Sequence, residues 1–258
     1  MAWQVEQFDQ GPITKSEVSR LLSLLPKPFS KNVDSVIYQP TDNFKRRKFA
    51  YPERLKSDKT QDGKIIMIID GPSKEVGDYE QLAYAGRFVP NFLRQIVKNH
   101  PSLQDDPDLI IHALTIQPSS EKKTDWQKAL AHRLWAQGHG YEQALAHGHS
   151  THEFFQNLDS EYALPQAAWE INQLRRAMIK RLAQQAAKNL IKNAVKDVYV
   201  RAALLKAIFD GGVYSDDLAV DQASIPSSLL SQVNSLVQDG DAHQIIALRN
   251  LAALLRGV

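Results

Sequence analysis

The sequence has no cysteine among its 258 residues. This absence excludes a disulfide framework, a thiolate zinc site, an iron–sulfur cluster and a cysteine nucleophile, and it fits a reducing compartment. The first residues, MAWQVEQFDQGP, have neither the basic nor the apolar segment of a signal peptide. No uncharged apolar run approaches the roughly 18 residues that cross a membrane. We therefore expect a cytoplasmic protein without membrane insertion.

Recognisable catalytic motifs are also missing. The sequence contains no GxGxxG and no GxSxG, and its serines and histidines show no triad order. The segment from Gly71 to Gly77 is not a phosphate-binding loop, because Lys74 precedes the second glycine instead of following it. The sequence therefore predicts a protein that is not an enzyme and needs no cofactor.

Charge is distributed unevenly along the chain, although the formal net charge is only +2. Residues 27–64 carry about 10 basic and 5 acidic side chains, and residues 166–206 carry about 9 and 2. Residues 67–125 and 207–258 are acidic by about 3 and 4 charges. Such segregation indicates a basic surface that meets a polyanion, and the alternative is a set of ordinary solvated faces.

Hydrophobic periodicity predicts a small α/β region over residues 1–120. Its predicted elements are a helix, a strand, a second strand, a second helix and a third strand, over Thr14–Leu25, Asp34–Gln39, Lys64–Asp70, Tyr79–Lys98 and Leu109–Gln117. Thr14 and Glu17 form a capping box in the first helix. The continuous apolar run KIIMIID indicates a strand buried on both faces. The last three elements favour a βαβ unit with a parallel pair, with a one-sided α+β layer as the alternative.

The polar segment between the first two strands is rich in basic and turn-forming residues. Its sequence, TDNFKRRKFAYPERLKSDKTQDGK, predicts a loop or an irregular hairpin arm. Asp62-Gly63 is a turn dipeptide immediately before a strand, which favours the hairpin.

Residues 121–258 have helical spacing, and we place a domain boundary near residues 118–125. The predicted helices are Trp126–Gln137, Tyr141–His147, Ser150–Leu158, a long helix from Pro165 to about Phe209, and two in the tail at about Ser227–Val237 and Asp241–Leu255. The expected fold class is thus α+β or α/β, predominantly α-helical. A small N-terminal sheet with one or two helices precedes a helical half with one long basic helix.

The long helix combines an apolar stripe with a row of cations. Apolar residues recur every three or four positions from Ile171 through Val198 to Ala202, and seven lysines and arginines lie mostly off this stripe. A helix of about 40 residues would be roughly 60 Å long. Because that exceeds a compact domain of this size, we expect a kink, a break or a partner along it, either another protein or a second copy of the chain.

The stretch ALAHRLWAQGHGYEQALAHGHSTHEFFQNL has the spacing Ala144, Gly148, Phe154 after a helix that ends at Gly138. Over about residues 126–158 it resembles the helix-turn-helix DNA-binding proteins of the bacterial partition-protein (ParB/KorB) type. The resemblance implies a recognition helix that begins at Ser150 and places Ser150, Thr151 and His152 near bases in the major groove. No arginine or lysine lies on that helix, and the alternative is a plain helical hairpin with capped turns.

Two basic clusters are candidates for contacting phosphate. The first is in the polar segment, where Phe44, Phe49 and Tyr51 interleave with cations as in single-strand stacking platforms. The second is on the long helix. Together the candidate phosphate contacts are Lys45, Arg46, Arg47, Lys48, Arg175, Arg176, Lys180 and Arg181.

Metal-dependent chemistry is the weaker alternative. His147, His149 and His152 lie within one short stretch and have side chains that ligate zinc or nickel, but no HExxH order is present. Carboxylates near the ends of the predicted strands form a second possible set for Mg²⁺. Its members are Asp70, Glu75, Asp78, Glu80, Asp106 and Asp108.

These patterns lead to a hypothesis of a non-enzymatic, nucleic-acid-associated, DNA-binding protein with a helix-turn-helix-like core and a basic helix. The main alternative is a structural or assembly component of a phage particle or secretion machine. A component of a phage particle would be virion-associated. A metal-dependent enzyme that uses the histidine cluster or the strand-end carboxylates is the third possibility.

Overall fold

The computed structural model describes residues 3–31, 33–40, 56–59, 64–75, 77–98, 107–116, 126, 130, 164–210 and 225–238. The strands are β1 (Gln4–Glu6), β2 (Val33–Pro40), β3 (Lys56–Lys59) and β4 (Ile65–Gly71). The helices are α1 (Lys15–Leu24), α2 (Lys27–Ser30), α3 (Asp78–Lys98), α4 (Pro107–Thr115), α5 (Leu164–Ala194), α6 (Val198–Asp210) and α7 (Ser228–Gln238). The expected class, a small N-terminal sheet followed by a mainly helical half with one long basic helix, is confirmed.

The four strands form one mixed sheet in the order β1-β2-β4-β3. β1 pairs with β2 in parallel, with Val5 opposite Val36, and β2 pairs with β4 in parallel, with Ile37 opposite Ile68. β3 runs antiparallel to β4. The strand predicted over residues 34–39 is therefore central, with a parallel neighbour on each side.

A β-α-β connection lies at the start of the chain, because β1 and β2 are parallel and α1 and α2 connect them. The predicted capping box at the start of α1 is confirmed. The Thr14 hydroxyl accepts from the Glu17 backbone N–H at 3.2 Å, and the Glu17 carboxylate accepts from the Thr14 N–H at 2.8 Å. Val18, Leu21 and Leu22 of this helix are buried.

The hairpin alternative for the polar segment is confirmed at its C-terminal end, since β3 pairs with β4 just after it. Burial in β4 alternates along the strand. Ile65, Met67 and Ile69 are buried, while Ile66 and Ile68 are half-buried. The strand was predicted to be buried on both faces. One face is buried as predicted, and the other is only half-buried.

The strand predicted over Leu109–Gln117 is wrong, because residues 107–115 form the helix α4. Pro107 is its first residue, a position that suits proline, and Asp108 lies in its first turn. The Thr115 hydroxyl donates to the Ile111 carbonyl at 2.8 Å, a bond between neighbouring helical turns. The predicted βαβ unit after residue 64 is therefore also wrong, and the parallel partner of β4 is β2.

The chain divides into two compact units that are not consecutive stretches of sequence. The first contains residues 1–41, 49–71 and 88–175, and with them the sheet. The second contains residues 42–48, 72–87 and 176–258, and with them α6 and α7. The predicted boundary near residues 118–125 lies outside the described residues and stays a prediction.

The predicted break in the long basic helix is confirmed. α5 ends at Ala194 and α6 begins at Val198, so three non-helical residues, 195–197, separate them. At about 1.5 Å per residue, the 31 residues of α5 span roughly 46 Å. The predicted helix near residues 227–237 is confirmed as α7, and the one predicted over residues 241–255 lies outside the described residues.

Tyr38 in the central strand β2 is closely packed on several sides. Its side chain is fully buried and lies 5.2 Å from the ring of Phe8, measured between ring centroids. Gly11 and Gly71 lie so close to this ring that a Cβ atom on either would overlap it. The absence of a side chain at both glycines thus makes room for a large aromatic residue within the sheet.

We predict that Gly71→Ala lowers the free energy of unfolding by about 1–3 kcal/mol, since the new methyl group displaces a buried ring that has little room to move. Urea unfolding followed by circular dichroism measures the change. Gly86→Ala is the matched control, because no atom lies within 4 Å of a Cβ at that position in α3. The control should be neutral or stabilising by up to about 1 kcal/mol, since alanine favours helix more than glycine does. Equal effects of the two substitutions would contradict the packing explanation.

Candidate nucleic-acid interface

Along the helix α5, apolar side chains are buried and cationic side chains face solvent. Its buried residues include Ile171, Met178, Leu182, Ala186 and Ile191. Alanine and long unbranched side chains dominate its sequence, and both favour helix. The charged ends of lysine and arginine stay in water because an unpaired buried charge costs several kcal/mol.

We define the basic face as the five exposed cations of α5, namely Arg176, Lys180, Arg181, Lys188 and Lys192. Four of them follow one another at intervals of four residues, with Gln184 at the remaining position of this row. The row winds around the helix, because each step of four residues turns it by about 40°. Arg181 precedes Lys188 by two helical turns and so lies beside that row. From Arg176 to Lys192 the basic face extends about 24 Å along the helix, at about 1.5 Å per residue.

The basic face has no acidic residue within it. Glu170 is the only acidic residue of α5, and its carboxylate accepts from Arg20 at 3.3 Å and from Gln166 at 2.8 Å. Within the described stretches of chain, Arg176, Lys180 and Lys192 form no ion pair. The charges of Arg176, Lys180 and Lys192 are therefore directed to solvent and are available to an external anion.

A hydrogen-bonded chain holds the C-terminal part of α5 against the start of α3 within the second unit. Asn189 donates to both carboxylate oxygens of Asp78, at 3.1 and 3.2 Å. Gln185 in turn donates to the side-chain oxygen of Asn189 at 3.0 Å. Asp78 lies in the first turn of α3, where the helix dipole favours a negative charge. These bonds connect the C-terminal part of α5 to the start of α3.

The structure separates the four predicted helix cations. Arg176, Lys180 and Arg181 lie on the basic face, as the hypothesis requires. Arg175 does not, because it is half-buried and its Nε atom is fully enclosed. One residue is a rotation of about 100° on a helix, which turns Arg175 away from its exposed neighbour Arg176.

The other predicted nucleic-acid contacts lie outside the described residues. They are Lys45, Arg46, Arg47 and Lys48 in the polar segment, and Ser150, Thr151 and His152 in the proposed recognition helix. Of the helix-turn-helix-like stretch, the structure describes Trp126 and Leu130, and both side chains are buried. The helix-turn-helix resemblance stays a prediction.

The metal alternatives gain no support from the residues that the structure describes, among which no three histidine, aspartate or glutamate side chains form a possible metal-ion site. His147, His149 and His152 lie outside that part of the chain. The strand-end carboxylate set was drawn wrongly, since Asp108 belongs to a helix and not to the start of a strand. A strand over residues 109–117 parallel to β4 would have brought Asp108 towards Asp70, but this strand does not form.

Sequence reasoning did not select Lys188 and Lys192 as contacts, although their spacing of four residues from one another continues the row of Arg176 and Lys180. It also placed Val198 in the apolar stripe of a continuous helix. The structure shows Val198 to be 68% exposed, because the helix breaks just before it and the periodicity does not carry across the break.

None of the helices in the described ranges is both long and apolar enough to cross a membrane. The chain matches no protein-family model, and comparisons with curated proteins and with solved structures likewise give no match.

We predict that Asn189→Ala lowers the free energy of unfolding by about 1 kcal/mol, because it removes the hydrogen bonds to the charged Asp78. Thermal and urea unfolding measure the loss. Asn193→Ala is the matched control, since Asn193 is an exposed asparagine near the end of the same helix. Both substitutions gain the same helix propensity, so their difference isolates the contact with Asp78. A loss of the same size in the control would show that this contact contributes nothing.

Proposed function

We propose that this protein binds nucleic acid through the basic face of α5, as a binding protein and not as an enzyme. The observation that carries the proposal is the regularly spaced row of exposed cations from Arg176 to Lys192, which winds gradually around a single helix. Lysine and arginine bind phosphate through Coulomb attraction and charge-assisted hydrogen bonds. Phosphates repeated along a strand are the ligand that a regularly spaced row of cations matches.

The spacing within the row supports a polymer as the ligand. Neighbours four residues apart on a helix are separated by about 6 Å along its axis. A single small anion would engage one or two of these side chains, whereas a phosphate backbone that follows the helix surface engages several successive members of the row. Each phosphate neutralised releases condensed counterions, and this release is favourable at low salt.

Contacts to phosphate position a nucleic acid without reading its sequence. The basic face alone therefore predicts binding with little sequence preference. Base-specific contacts would come from the proposed recognition helix through Ser150, Thr151 and His152, and further phosphate contacts from Lys45, Arg46, Arg47 and Lys48. Both sets belong to the proposal as additions to the basic face.

We predict that wild-type protein binds fluorescently labelled oligonucleotides with an affinity that falls steeply as salt rises. Changing Arg176, Lys180, Lys188 and Lys192 together to glutamine should reduce the slope of log K against log salt by about 3, since each lost phosphate contact removes about 0.7–0.9 from it. Fluorescence anisotropy over a range of salt concentrations measures both affinities.

The matched control changes four exposed lysines elsewhere to glutamine, namely Lys15, Lys27, Lys31 and Lys98. It removes the same net charge but leaves the basic face intact, so its slope should stay close to that of the wild type. Equal slopes for the two variants would reduce the interaction to net charge and would contradict a specific interface on α5. Absence of binding by the wild type at low salt would reject the proposed function.

A further inference from the structure

The junction between α5 and α6 exposes an aromatic residue beside the end of the basic face. Tyr199 is 85% exposed and Val198 is 68% exposed. The two residues before them, Lys196 and Asp197, are exposed as well. Tyrosine carries a large apolar ring, and within the described residues no other large hydrophobic side chain is as exposed as this one.

Packing and hydrogen bonds fix the backbone before and after the exposed residues Val198 and Tyr199. Val195 and Val200 are buried, so the chain is anchored before and after the exposed stretch. The Asp197 carboxylate accepts from the backbone N–H groups of Tyr199 at 2.8 Å and Val200 at 3.0 Å. Arg201 donates to the Lys196 carbonyl at 3.1 Å. Tyr199 thus projects from a fixed turn at the start of a helix.

The same bonds determine which groups at the junction meet an anion. Asp197 already satisfies two of the free N–H groups at the start of α6, so this helix start does not offer them to phosphate. The cations that remain are Lys192 and Lys196, both exposed. Tyr199 is three positions after Lys196 in the sequence, so their Cα atoms lie within about 11 Å of each other.

An exposed ring beside a row of cations matches a polyanion that also carries flat apolar groups. Single-stranded nucleic acid has both, because its unpaired bases stack on aromatic side chains while its phosphates contact lysine and arginine. In a duplex the base faces are covered by neighbouring pairs, and only the base edges and the backbone are accessible. An aromatic residue that stacks on bases would therefore distinguish a single strand from a duplex.

We propose that Tyr199 is a base-stacking residue for single-stranded nucleic acid, with Lys192 and Lys196 holding the adjacent phosphates. This inference rests on the proposed function and names the class of nucleic acid that the basic face accepts. Base stacking on an aromatic ring tolerates any sequence, since every base has a flat face.

The test compares full-length wild type with Tyr199→Ala, Tyr199→Trp and Val198→Ala. Four labelled ligands of about 20 nucleotides are used, namely oligo-dT, oligo-rU, a duplex, and a single strand of abasic spacers with the same number of phosphates. Anisotropy gives the affinities, and circular dichroism with urea unfolding verifies that each variant is folded. Val198→Ala is the matched control because it removes exposed apolar area without removing an aromatic ring.

We expect Tyr199→Ala to weaken binding to oligo-dT and oligo-rU by about fivefold or more, the loss typical of one stacked base. Tyr199→Trp should retain or improve this binding, and Val198→Ala should leave it unchanged. On the abasic strand and on the duplex, all four proteins should bind alike, because no unpaired base is present to stack.

Several results would overturn the inference. If Tyr199→Ala binds oligo-dT and oligo-rU as tightly as the wild type does, stacking is refuted while the basic face stands. An equal loss on the abasic strand would show that Tyr199 acts on the fold or on phosphate contacts and not on bases. If the wild type binds none of the four ligands, the proposed function itself fails. An altered oligomeric state of Tyr199→Ala would then identify the exposed junction as a protein contact.

Discussion

The separation of apolar and cationic side chains on α5 is the constraint on which the candidate interface depends. Apolar residues such as Met178 and Ala186 leave water because their burial is favourable, at about 25 cal/mol for each Å². Lys180 and Lys188 stay in water because burying an unpaired charge costs several kcal/mol. The two tendencies act on opposite sides of one helix, and their sum fixes its rotation. A row of exposed cations is then a consequence of packing as well as of sequence.

Polar contacts support the C-terminal part of this arrangement. Asn189 and Asp78 connect α5 to α3. Beyond the C-terminal end of α5, Asp197 caps α6 and Arg201 donates to the carbonyl of Lys196, so the helix break is a structured turn. The exposure of Tyr199 depends on that turn, because a continuous helix would have rotated it to a different side.

The local signals in the sequence were reliable wherever a single stretch of chain decides the outcome. The capping box of Thr14 and Glu17 depends on residues three apart, and it forms as predicted. The prediction of a strand over residues 109–117 was wrong for a reason that is also local. The stretch LIIHALT is too short and too uniformly apolar for its periodicity to distinguish a strand from a helix. Pro107 and Asp108 are the local signals that favour a helix start at this point.

The sequence by itself determined the mainly helical fold class, the N-terminal capped helix, the strands at residues 34–39 and 64–70, and the segregation of positive charge along α5. Each follows from spacing or composition within a short stretch. Only the tertiary structure decided that β2 pairs in parallel with both β1 and β4. It also decided that Arg175 is half-buried while Arg176 stays exposed. Finally, it decided that the helix is interrupted at residues 195–197, after which Tyr199 is exposed to solvent. These outcomes depend on which distant residues cover a side chain, and spacing along the sequence does not contain that information.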